Sequence, residues 1–589
     1  MFSPCGRYVI VFNGEIYNFR ELNRDLASAG HQFRGHSDTE VMLAAVVEWG
    51  LETALKRFVG MFAFALWDRK EQTLHLARDR VGEKPLYYGW VQQVLLFGSE
   101  LKALRAHPQW TGQINRDAIA AFMRHNYIPA PLSIYTGILK LPPGAFLTLP
   151  AQKATPGHLP EPVPFWSMKA VAESGARSPF SDGPVEARER LETLLRRAIA
   201  QQMVADVPLG AFLSGGVDSS TIVALMQAQS KRPVKTFTIG FQEQDYNEAN
   251  YAKAVARHLG TDHTELYVTP KEAMAVIPRL PTIYDEPFSD ASQIPTFLVS
   301  DLARRHVTVS LSGDAGDELF GGYTRYPLAN RIWRSVGWMP RPGRNALAGT
   351  LRAFRPQTWE RALAWVRRSG HGIVPERVGD RLHKLAEILS ARTPQELYRG
   401  LISHWKEPEQ LVIGAHEPRT VLNDPGRRAD LPDFFHQMMY LDAVSYLPDD
   451  ILVKVDRASM AVSLESRVPL LDHRVVEFAW QLPLSMKIRD GQEKWLLRQV
   501  LYKYVPRPLI ERPKKGFGVP IDQWLRGPLR DWAENLLVPE RLNREGFLNP
   551  HLVAAKWREH LSGRRNWQYY LWDVLMFQAW LEAQKPGGH

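Results

Sequence analysis

The chain has 589 residues, of which 45% are hydrophobic and 23% are charged, and its formal net charge is +10. This length exceeds what one hydrophobic core supports, so we expect at least two globular domains. A single cysteine excludes an internal disulfide and a cysteine-based zinc site, and it favours a reducing, cytoplasmic location. Because the positive charge is diffuse and no apolar run is long enough to span a bilayer, we expect neither a nucleic-acid nor a membrane partner.

The first 150 residues carry the signals of short strands and two helices. The stretch 8–12 reads as a buried strand that leads into a polar turn at 13–15. Helices are predicted at 18–30 and 37–50, because each begins with a capping residue and ends at a glycine. The apolar runs that follow are strand-like. They favour an α+β layered domain with antiparallel sheets over residues 1–150.

The remainder of the chain has a different pattern. Residues 151–184 are rich in Pro, Gly and Ser, which predicts a linker. After a predicted helix at 185–203, strand-like and helical runs alternate. This alternation predicts a parallel sheet covered by helices, an α/β domain over residues 185–589. From residue 325 onward the pattern is mostly helical.

One loop in this second domain has the composition of a phosphate-binding turn. SGGVDSS spans residues 214–220, between a predicted strand and a predicted helix. Its glycines let the backbone approach a phosphate, its serines add hydroxyl donors, and the helix N-terminus favours negative charge. The loop lacks the GxxxxGKS/T spacing that supplies a phosphate-binding lysine, which leaves Asp218 available to hold Mg²⁺. A plain glycine turn is the alternative for the SGG triplet alone.

Several motifs resemble those of the glutamine-hydrolysing asparagine synthetases, and the resemblance covers nearly the whole length. SGGVDSS is similar to the pyrophosphate loop of the N-type ATP pyrophosphatases, and it is combined with NGEIYN and SDTEV ahead of it. The resemblance implies a truncated Ntn-type glutaminase domain of layered antiparallel sheets. An α/β parallel-sheet ATP pyrophosphatase domain with a mostly helical C-terminal part is implied after it. The other matching motifs are RDRVGEKPLYY (78–88), DVPLGAFLSGGVDSS (206–220), YDEPFSDASQIPT (284–296), SLSGDAGDELFGGYTRY (310–326), DILVKVDRASMAVSLESRVPLLD (450–472), EKWLLR (493–498) and RPKKGFGVPIDQWL (512–525).

The resemblance also implies an ATP-dependent amide synthesis from small-molecule substrates. A carboxylate, first of all that of aspartate, attacks the α-phosphate of ATP to give an acyl-adenylate and pyrophosphate, and ammonia then displaces AMP. Matching positions imply Mg²⁺ ligands at Asp218 and Asp317, a transition-state lysine at Lys494, and a proton acceptor at Asp314, where some relatives carry the longer glutamate. The implied ATP contacts are Leu213, Ser214, Gly215, Gly216, Asp218, Ser219, Ile239, Ser312 and Gly313, while Lys514, Lys515 and Gly516 match a flap over the phosphates.

The amino-terminal domain matches only part of the family's glutamine pocket. Asn13 and Gly14 match the oxyanion pair, and Asp38 matches the carboxylate that binds the α-ammonium of glutamine. Relatives use an amino-terminal cysteine whose own α-amine is the base, whereas Cys5 has a peptide nitrogen, so we expect Cys5 to be a bystander. The cysteine-bearing strand and an arginine-bearing segment find no match, so we expect the chain to use ammonia rather than glutamine. A longer natural protein, favoured by the intact pocket residues, and a shortened gene are the two explanations.

Three other interpretations stay open on the sequence. The same fold and loop would serve amidation of another carboxylate, such as a surface-sugar acid or a peptide. A non-catalytic nucleotide- or glutamine-binding regulator would fit the missing nucleophile, although SGGVDSS, Asp317 and Lys494 are intact. A nucleic-acid-modifying pyrophosphatase would use a similar loop, but no RNA-binding module is evident. A homodimer is compatible with the resemblance.

Overall fold

The computed structural model describes residues 1–241, 248–354, 358–359, 361–362, 378–512 and 518–585. An antiparallel part and a parallel α/β part follow each other along the chain. Within the described ranges, none of the helices combines the length and the apolar character that a bilayer crossing requires.

The amino-terminal part contains two antiparallel sheets, and helices pack against each of them. Its elements are β1 (Tyr8–Ile16), α1 (Phe19–Ser28), α2 (Asp38–Trp49), α3 (Leu51–Arg57), β2 (Gly60–Asp68), β3 (Thr73–Arg78), β4 (Tyr87–Val91), β5 (Val94–Gly98), α4 (Leu101–Arg105), α5 (Arg116–His125), β6 (Ile138–Lys140), β7 (Ala145–Pro150), β8 (Val163–Pro164) and α6 (Met168–Arg177). The strand orders are β1-β2-β3-β7-β8 and β5-β4-β6. One apolar cluster, including Leu76 and Tyr88, joins the two sheets, and another, including Ile10 and Val41, joins β1 to α2. This layering confirms the predicted α+β class.

The predicted turn at residues 13–15 is wrong, because these residues lie inside β1. Asn13 pairs with Ala63 and Gly14 with Phe62 in the antiparallel register of β1 and β2. A Cβ atom at Gly14 would lie 2.0 Å from the carbonyl oxygen of Met61, and its φ is +147°. The polar residues therefore extend the strand, since β2 is nine residues long and offers them backbone partners.

The segment 151–184 is more ordered than its composition predicts. Strand β8 pairs with β7, and α6 packs against the helix at His473–Gln481 in the second part of the chain. The side chain of Ser167 caps α6 by accepting from the backbone N–H of Ala170. A Cβ at Gly175 would lie 2.5 Å from the carbonyl oxygen of Trp480, so a small residue here permits the close helix contact. Packing, which composition does not show, orders this connection.

The second part is built on a five-stranded parallel sheet. Its order is β11-β10-β9-β12-β13, and every strand pair in it is parallel. The elements up to the last strand are α7 (Pro184–Gln202), β9 (Leu209–Phe212), α8 (Val217–Gln227), β10 (Lys235–Phe241), α9 (Ala249–Leu259), β11 (Asp262–Val268), α10 (Pro270–Met274), α11 (Leu280–Tyr284), α12 (Gln293–Arg304), β12 (Val309–Leu311), α13 (Gly316–Phe320), α14 (Arg325–Val336), α15 (Arg341–Ala353), α16 (Val378–Ile388), α17 (Pro394–Leu401), α18 (Pro408–Leu411), α19 (Phe434–Val444), α20 (Leu452–Met460) and β13 (Glu465–Arg467).

The rest of the described chain is helical. Its helices are α21 (His473–Gln481), α22 (Leu484–Lys487), α23 (Trp495–Leu501), α24 (Ile521–Arg526), α25 (Arg530–Leu537), α26 (Pro539–Glu545), α27 (Pro550–Leu561) and α28 (Gln568–Ala583). The α/β class with a mostly helical C-terminal part is thus confirmed. Among the described residues after 325, β13 forms a strand of three residues, and its Glu-Ser-Arg sequence carries no strand signal.

The two parts share a hydrophobic core. Ile119 and Phe122 of α5 belong to the same buried cluster as Trp572 and Phe577 of α28. Buried ion pairs also cross the boundary. Lys84 Nζ lies 2.9 Å from Asp456 Oδ1, and Lys140 Nζ lies 2.5 Å from Glu286 Oε1. The interface is therefore continuous with the core of each part.

Candidate nucleotide and glutamine sites

Two loops meet where the strand order of the parallel sheet reverses. The chain runs from β9 outward to β10 and β11, then returns to place β12 on the other side of β9. The loop after β9 leads into α8, and the loop after β12 leads into α13. We call residues 213–219 and 312–317 the nucleotide loops. Carboxyl ends of parallel strands at a topological switch point are where open α/β sheets bind ligands.

The first loop is held by its own serines. The backbone N–H of Ser214 donates to Ser219 Oγ at 3.1 Å, and the hydroxyls of Ser214 and Ser219 lie 3.0 Å apart. The N–H of Gly216 donates to Ser214 Oγ at 3.3 Å. Gly215 has a φ of +72°, and a Cβ there would lie 2.8 Å from the N–H nitrogen of Ala252. The predicted phosphate turn is thus a tight loop ahead of the α8 N-terminus, which favours an anion.

The two nucleotide loops touch each other through glycines. A Cβ at Gly313 would lie 2.6 Å from the backbone nitrogen of Ser219, and one at Gly316 would lie 2.3 Å from Asp218 Oδ1. Larger residues at either glycine would separate the loops. The glycines of SGDAGD therefore have a packing role that brings Asp218 beside α13.

Lys494 joins the two loops by its charge. Its Nζ contacts Asp218 Oδ2 and lies 2.8 Å from Asp317 Oδ1. The lysine is only 6% exposed. Burial alone would lower the pKa of Lys494, but the charges of Asp218 and Asp317 outweigh burial and raise this pKa above its ordinary value. Lys494 is consequently an ammonium ion at neutral pH.

The approach of Lys494 requires one further glycine. A Cβ at Gly322 would lie 1.9 Å from Lys494 Cε and 2.3 Å from Asp317 Oδ1. Lys494 itself has a φ of +56°, in the left-handed region that non-glycine residues rarely adopt. Strain of this kind is typical of residues held in place for a function.

The other residues that are predicted to contact the nucleotide lie at the same end of the sheet. Phe212 is level with Phe237 in the parallel register, so Ser214, two residues beyond β9, is level with Ile239 of β10. The side chains of Leu213 and Ile239 are buried. The structure thus brings Leu213, Ile239 and the loop at Ser312 together.

Asp314 is held by a partner other than Lys494. Its carboxylate accepts a hydrogen bond from the hydroxyl of Ser312. Burial raises the pKa of Asp314 above its ordinary value, although the Ser312 bond and the charge of Lys454 oppose the rise. Asp314 thus belongs to the same loop as Asp317 but is held by a hydroxyl of that loop. Its predicted proton-acceptor role stays a prediction.

Sequence reasoning missed a buried ion pair beside this loop. Lys454 Nζ lies 2.8 Å from Asp290 Oδ2, and Asp290 also accepts from the N–H and the hydroxyl of Ser292 at 2.8 Å. The charge of Lys454 outweighs burial and holds the pKa of Asp290 at about 2. Asp290 and Lys454 lie within the matching motifs at 284–296 and 450–472. Those motifs were the signal from which a role for the two residues could have been predicted.

The residues that are predicted to bind glutamine lie close to the end of β1. We call residues 13–17 the glutamine-side segment. Asn13 Nδ2 donates to Ser99 Oγ at 2.9 Å, and the backbone N–H of Ile16 donates to Asp38 Oδ2 at 2.9 Å. Asp38 is the first residue of α2, so its carboxylate also lies at a helix N-terminus. Asn13, Gly14 and Asp38 are thus brought together.

Cys5 lies away from this segment. It sits in the turn before β1, is exposed, and its Sγ lies 3.3 Å from Ser3 Oγ. The hydrogen bond from Ser3 lowers the pKa of Cys5 below its ordinary value. From Tyr8 at the start of β1 to Asn13, however, five strand residues span roughly 17 Å. Nothing in this geometry aims the sulfur at the Asn13–Gly14 pair.

Glu15 is a second residue that the sequence interpretation did not single out. Burial, followed by the negative charge of Asp38, raises the pKa of Glu15 to about 7. Arg467 of β13 opposes this rise, with its Nη2 3.5 Å from Glu15 Oε2. Lys514, Lys515 and Gly516, which are predicted to form a flap over the phosphates of the nucleotide, lie outside the described residues.

Comparison with known proteins gives two family matches. The model described as asparagine synthase matches residues 190–582, and the model described as glutamine amidotransferase domain matches residues 1–160. Glutamine-hydrolyzing asparagine synthetase 1 of Bacillus subtilis is 32% identical over 581 residues, which cover 97% of this chain and 85% of that protein. A putative glutamine-hydrolyzing asparagine synthetase of Mycobacterium bovis is 35% identical over 98% of this chain and 84% of its own length. Amidase chyE of Penicillium rubens is 27% identical over 92% of this chain and 81% of its own length.

Proposed function

The chain belongs to the asparagine synthase family of ATP-using ligases, and we propose that it makes asparagine from aspartate, with conversion of ATP to AMP and pyrophosphate. In this reaction the side-chain carboxylate of aspartate attacks the α-phosphate and expels pyrophosphate. Ammonia then attacks the acyl carbon, loses a proton and expels AMP. The single observation that carries the proposal is the contact of Lys494 with both Asp218 and Asp317 between the nucleotide loops.

Each element of this arrangement has a chemical role in the proposed reaction. The Ser214–Ser219 loop and the α8 N-terminus would receive the phosphates. Lys494 would place a fixed positive charge beside the charge that develops on the phosphates and on the acyl group, in a region shielded from water. A proton leaves the attacking ammonia, and Asp314 is the proposed acceptor because its pKa is raised.

The two carboxylates also fit a magnesium ion. Asp218 and Asp317 both contact the ammonium group of Lys494 in this structure. Mg²⁺ is commonly held by one or two carboxylates together with phosphate oxygens. Asp218 and Asp317 would hold the ion, which supplies charge neutralisation at the phosphates when bound.

The acceptor is the less constrained half of the proposal. Two relatives carry asparagine synthetase names, which supports aspartate, whereas a third is named an amidase, so amidation of another carboxylate is kept as the second candidate. The Lys454–Asp290 pair offers one positive and one negative group near Asp314, which suits an acceptor that has both charges, as an amino acid does. A non-catalytic regulator is disfavoured, because regulation would not require a buried, strained lysine between two acids.

The geometry around β1 supports a proposal for the nitrogen source. Asn13, Gly14 and Asp38 would hold glutamine, but Cys5 lies far along the strand from them. We therefore propose that ammonia is the nitrogen source for this chain. A cytoplasmic location is proposed from the single cysteine, and a homodimer stays a prediction.

The function is tested by product analysis. The purified chain is incubated with ATP, Mg²⁺, aspartate and an ammonium salt, and AMP, pyrophosphate and asparagine are quantified. We expect all three in equal amounts. Release of ADP and phosphate would contradict the adenylation chemistry. AMP formation only with another carboxylate, such as a sugar acid, would leave the chemistry intact and replace aspartate as the acceptor.

A further inference from the structure

Arg467 contacts both candidate sites at once. Its backbone carbonyl oxygen accepts a hydrogen bond from the N–H of Ser312 at 2.8 Å, at the start of the second nucleotide loop. Its guanidinium lies 3.5 Å from the carboxylate of Glu15, in the middle of the glutamine-side segment. One residue of β13 therefore connects the nucleotide loops, through its backbone, to the other domain, through its side chain.

The guanidinium of Arg467 has little freedom of its own. It donates to the carbonyl oxygens of Gln202 and Val204 at 2.7 Å each and to Glu465 Oε1 at 2.6 Å. Arg467 is 3% exposed, and its guanidinium carbon lies 5.5 Å from the centre of the Tyr17 ring. These contacts hold the guanidinium between Glu465 of β13 and the carbonyl oxygens at the end of α7, so a shift of β13 would change its distance from Glu15.

Glu15 is the group on the other side. Its neighbours in sequence are Gly14 of the oxyanion pair and Ile16, whose N–H donates to Asp38. The charged groups that act on Glu15 are Asp38, Glu465 and Asp206, which are repulsive, and Arg467, which is attractive. Among these charged groups, Arg467 is therefore the one that attracts this part of β1 toward the synthetase domain.

We propose that the Glu15–Arg467 ion pair couples the two sites, so that ATP binding at the nucleotide loops rigidifies the glutamine-side segment. The inference rests on the proposed function, because ATP must bind between those loops. Its physical basis is that ligand binding at Ser312 and Gly313 restrains β13, and Arg467 passes that restraint to Glu15. Coupling through rigidity needs no change of shape, and it is reciprocal between the two ligands.

Hydrogen exchange tests this proposal without requiring glutamine to bind. Amide exchange of the whole chain is followed by mass spectrometry with and without ATP and Mg²⁺. We expect ATP to slow exchange in the nucleotide loops. We also expect it to slow exchange of the glutamine-side segment, including Ile16 and Tyr17, about fivefold or more. Glu15→Gln keeps the size of the side chain and removes its charge, so the second effect should disappear in this variant.

Glu465→Gln is the matched control. Glu465 binds the same guanidinium at 2.6 Å, but it belongs to β13 itself. This variant should therefore keep the protection of the glutamine-side segment. If ATP protects the nucleotide loops of the wild type and leaves the glutamine-side segment unchanged, the coupling is wrong. Equal protection of the segment in wild type and Glu15→Gln would also overturn it. If the nucleotide loops themselves show no protection, the proposed function fails instead, and the coupling fails with it.

Discussion

The nucleotide site and the glutamine side of this chain are held together by different forces. At the nucleotide loops, a buried ammonium contacts two carboxylates, and glycines at 313, 316 and 322 permit approaches that a Cβ would block. On the glutamine side, Asn13 donates to Ser99 Oγ, and Asp38 accepts from the backbone N–H of Ile16 and from the hydroxyl of Thr39. The first arrangement is strongly constrained, because Lys494 contacts a carboxylate of each loop and the glycines leave no room for a Cβ atom. The second leaves its groups able to exchange their protein partners for a ligand, which suits binding more than electrostatic catalysis.

The largest effect should come from removing the central charge of the nucleotide site. Lys494→Ala should lower the rate of AMP formation by about 10²-fold or more, because it removes preorganised positive charge and leaves two carboxylates facing each other. Initial rates at saturating ATP and aspartate measure this. Lys56→Ala is the control, since Lys56 is an exposed lysine paired with Glu52 at 2.7 Å. A Lys494→Ala variant as active as wild type would show that this charge is structural.

A smaller effect is expected where the site depends on close packing. Gly322→Ala should lower the rate roughly tenfold or more, because its Cβ would displace Lys494 Cε, which lies only 1.9 Å from that position. Gly349→Ala is the matched change, since nothing lies within 4 Å of its Cβ position in α15. That control should retain full activity and gain about 0.4–1 kcal/mol of stability. Equal rates in the two variants would contradict the packing argument.

The glutamine side should instead show a pH effect on stability. The pKa of Glu15 is raised from 4.5 to about 7 in the folded chain, mainly by burial. A raised carboxyl pKa favours folding below the unfolded pKa, and this contribution is lost as the pH rises through the folded pKa. The stability of wild type relative to Glu15→Gln should therefore fall between pH 4.5 and 7. Denaturant unfolding of both chains across this window measures it. A constant difference would mean that Glu15 titrates normally.

The smallest effect is expected at the cysteine. Cys5→Ala should change neither the ammonia-dependent rate nor the glutamate released from glutamine, because the sulfur lies in an exposed turn away from Asn13. Both rates are measured on the same preparations. Glutamate release by the wild type that the substitution stops would identify Cys5 as a nucleophile and remove the distinction drawn between the two sites.

The sequence revealed one site better than the other for a physical reason. SGGVDSS indicates phosphate binding because its glycines, its serines and Asp218 are contiguous and lie between a strand and a helix. Residues 13–15 misled, since polar residues read as a turn until the pairing partner β2 is known. The composition of residues 151–184 also gave no signal for α6, because this helix is ordered by its packing against α21. The contacts of Lys454 with Asp290 and of Arg467 with Glu15 join residues distant in sequence, so no local pattern could show them.

The shared core has a consequence for how the protein is made. Tyr135, in the amino-terminal part, has its ring centre 6.0 Å from that of Trp580 and its hydroxyl 3.3 Å from Gln584 Oε1, at the end of α28. The ribosome therefore releases the apolar surface of α5 and its neighbours more than 400 residues before the helix that covers it (Tyr135 and Gln584 are 449 residues apart). During that interval the nascent chain exposes a face that favours aggregation or a chaperone. Separate expression of residues 1–150 would make this exposure permanent.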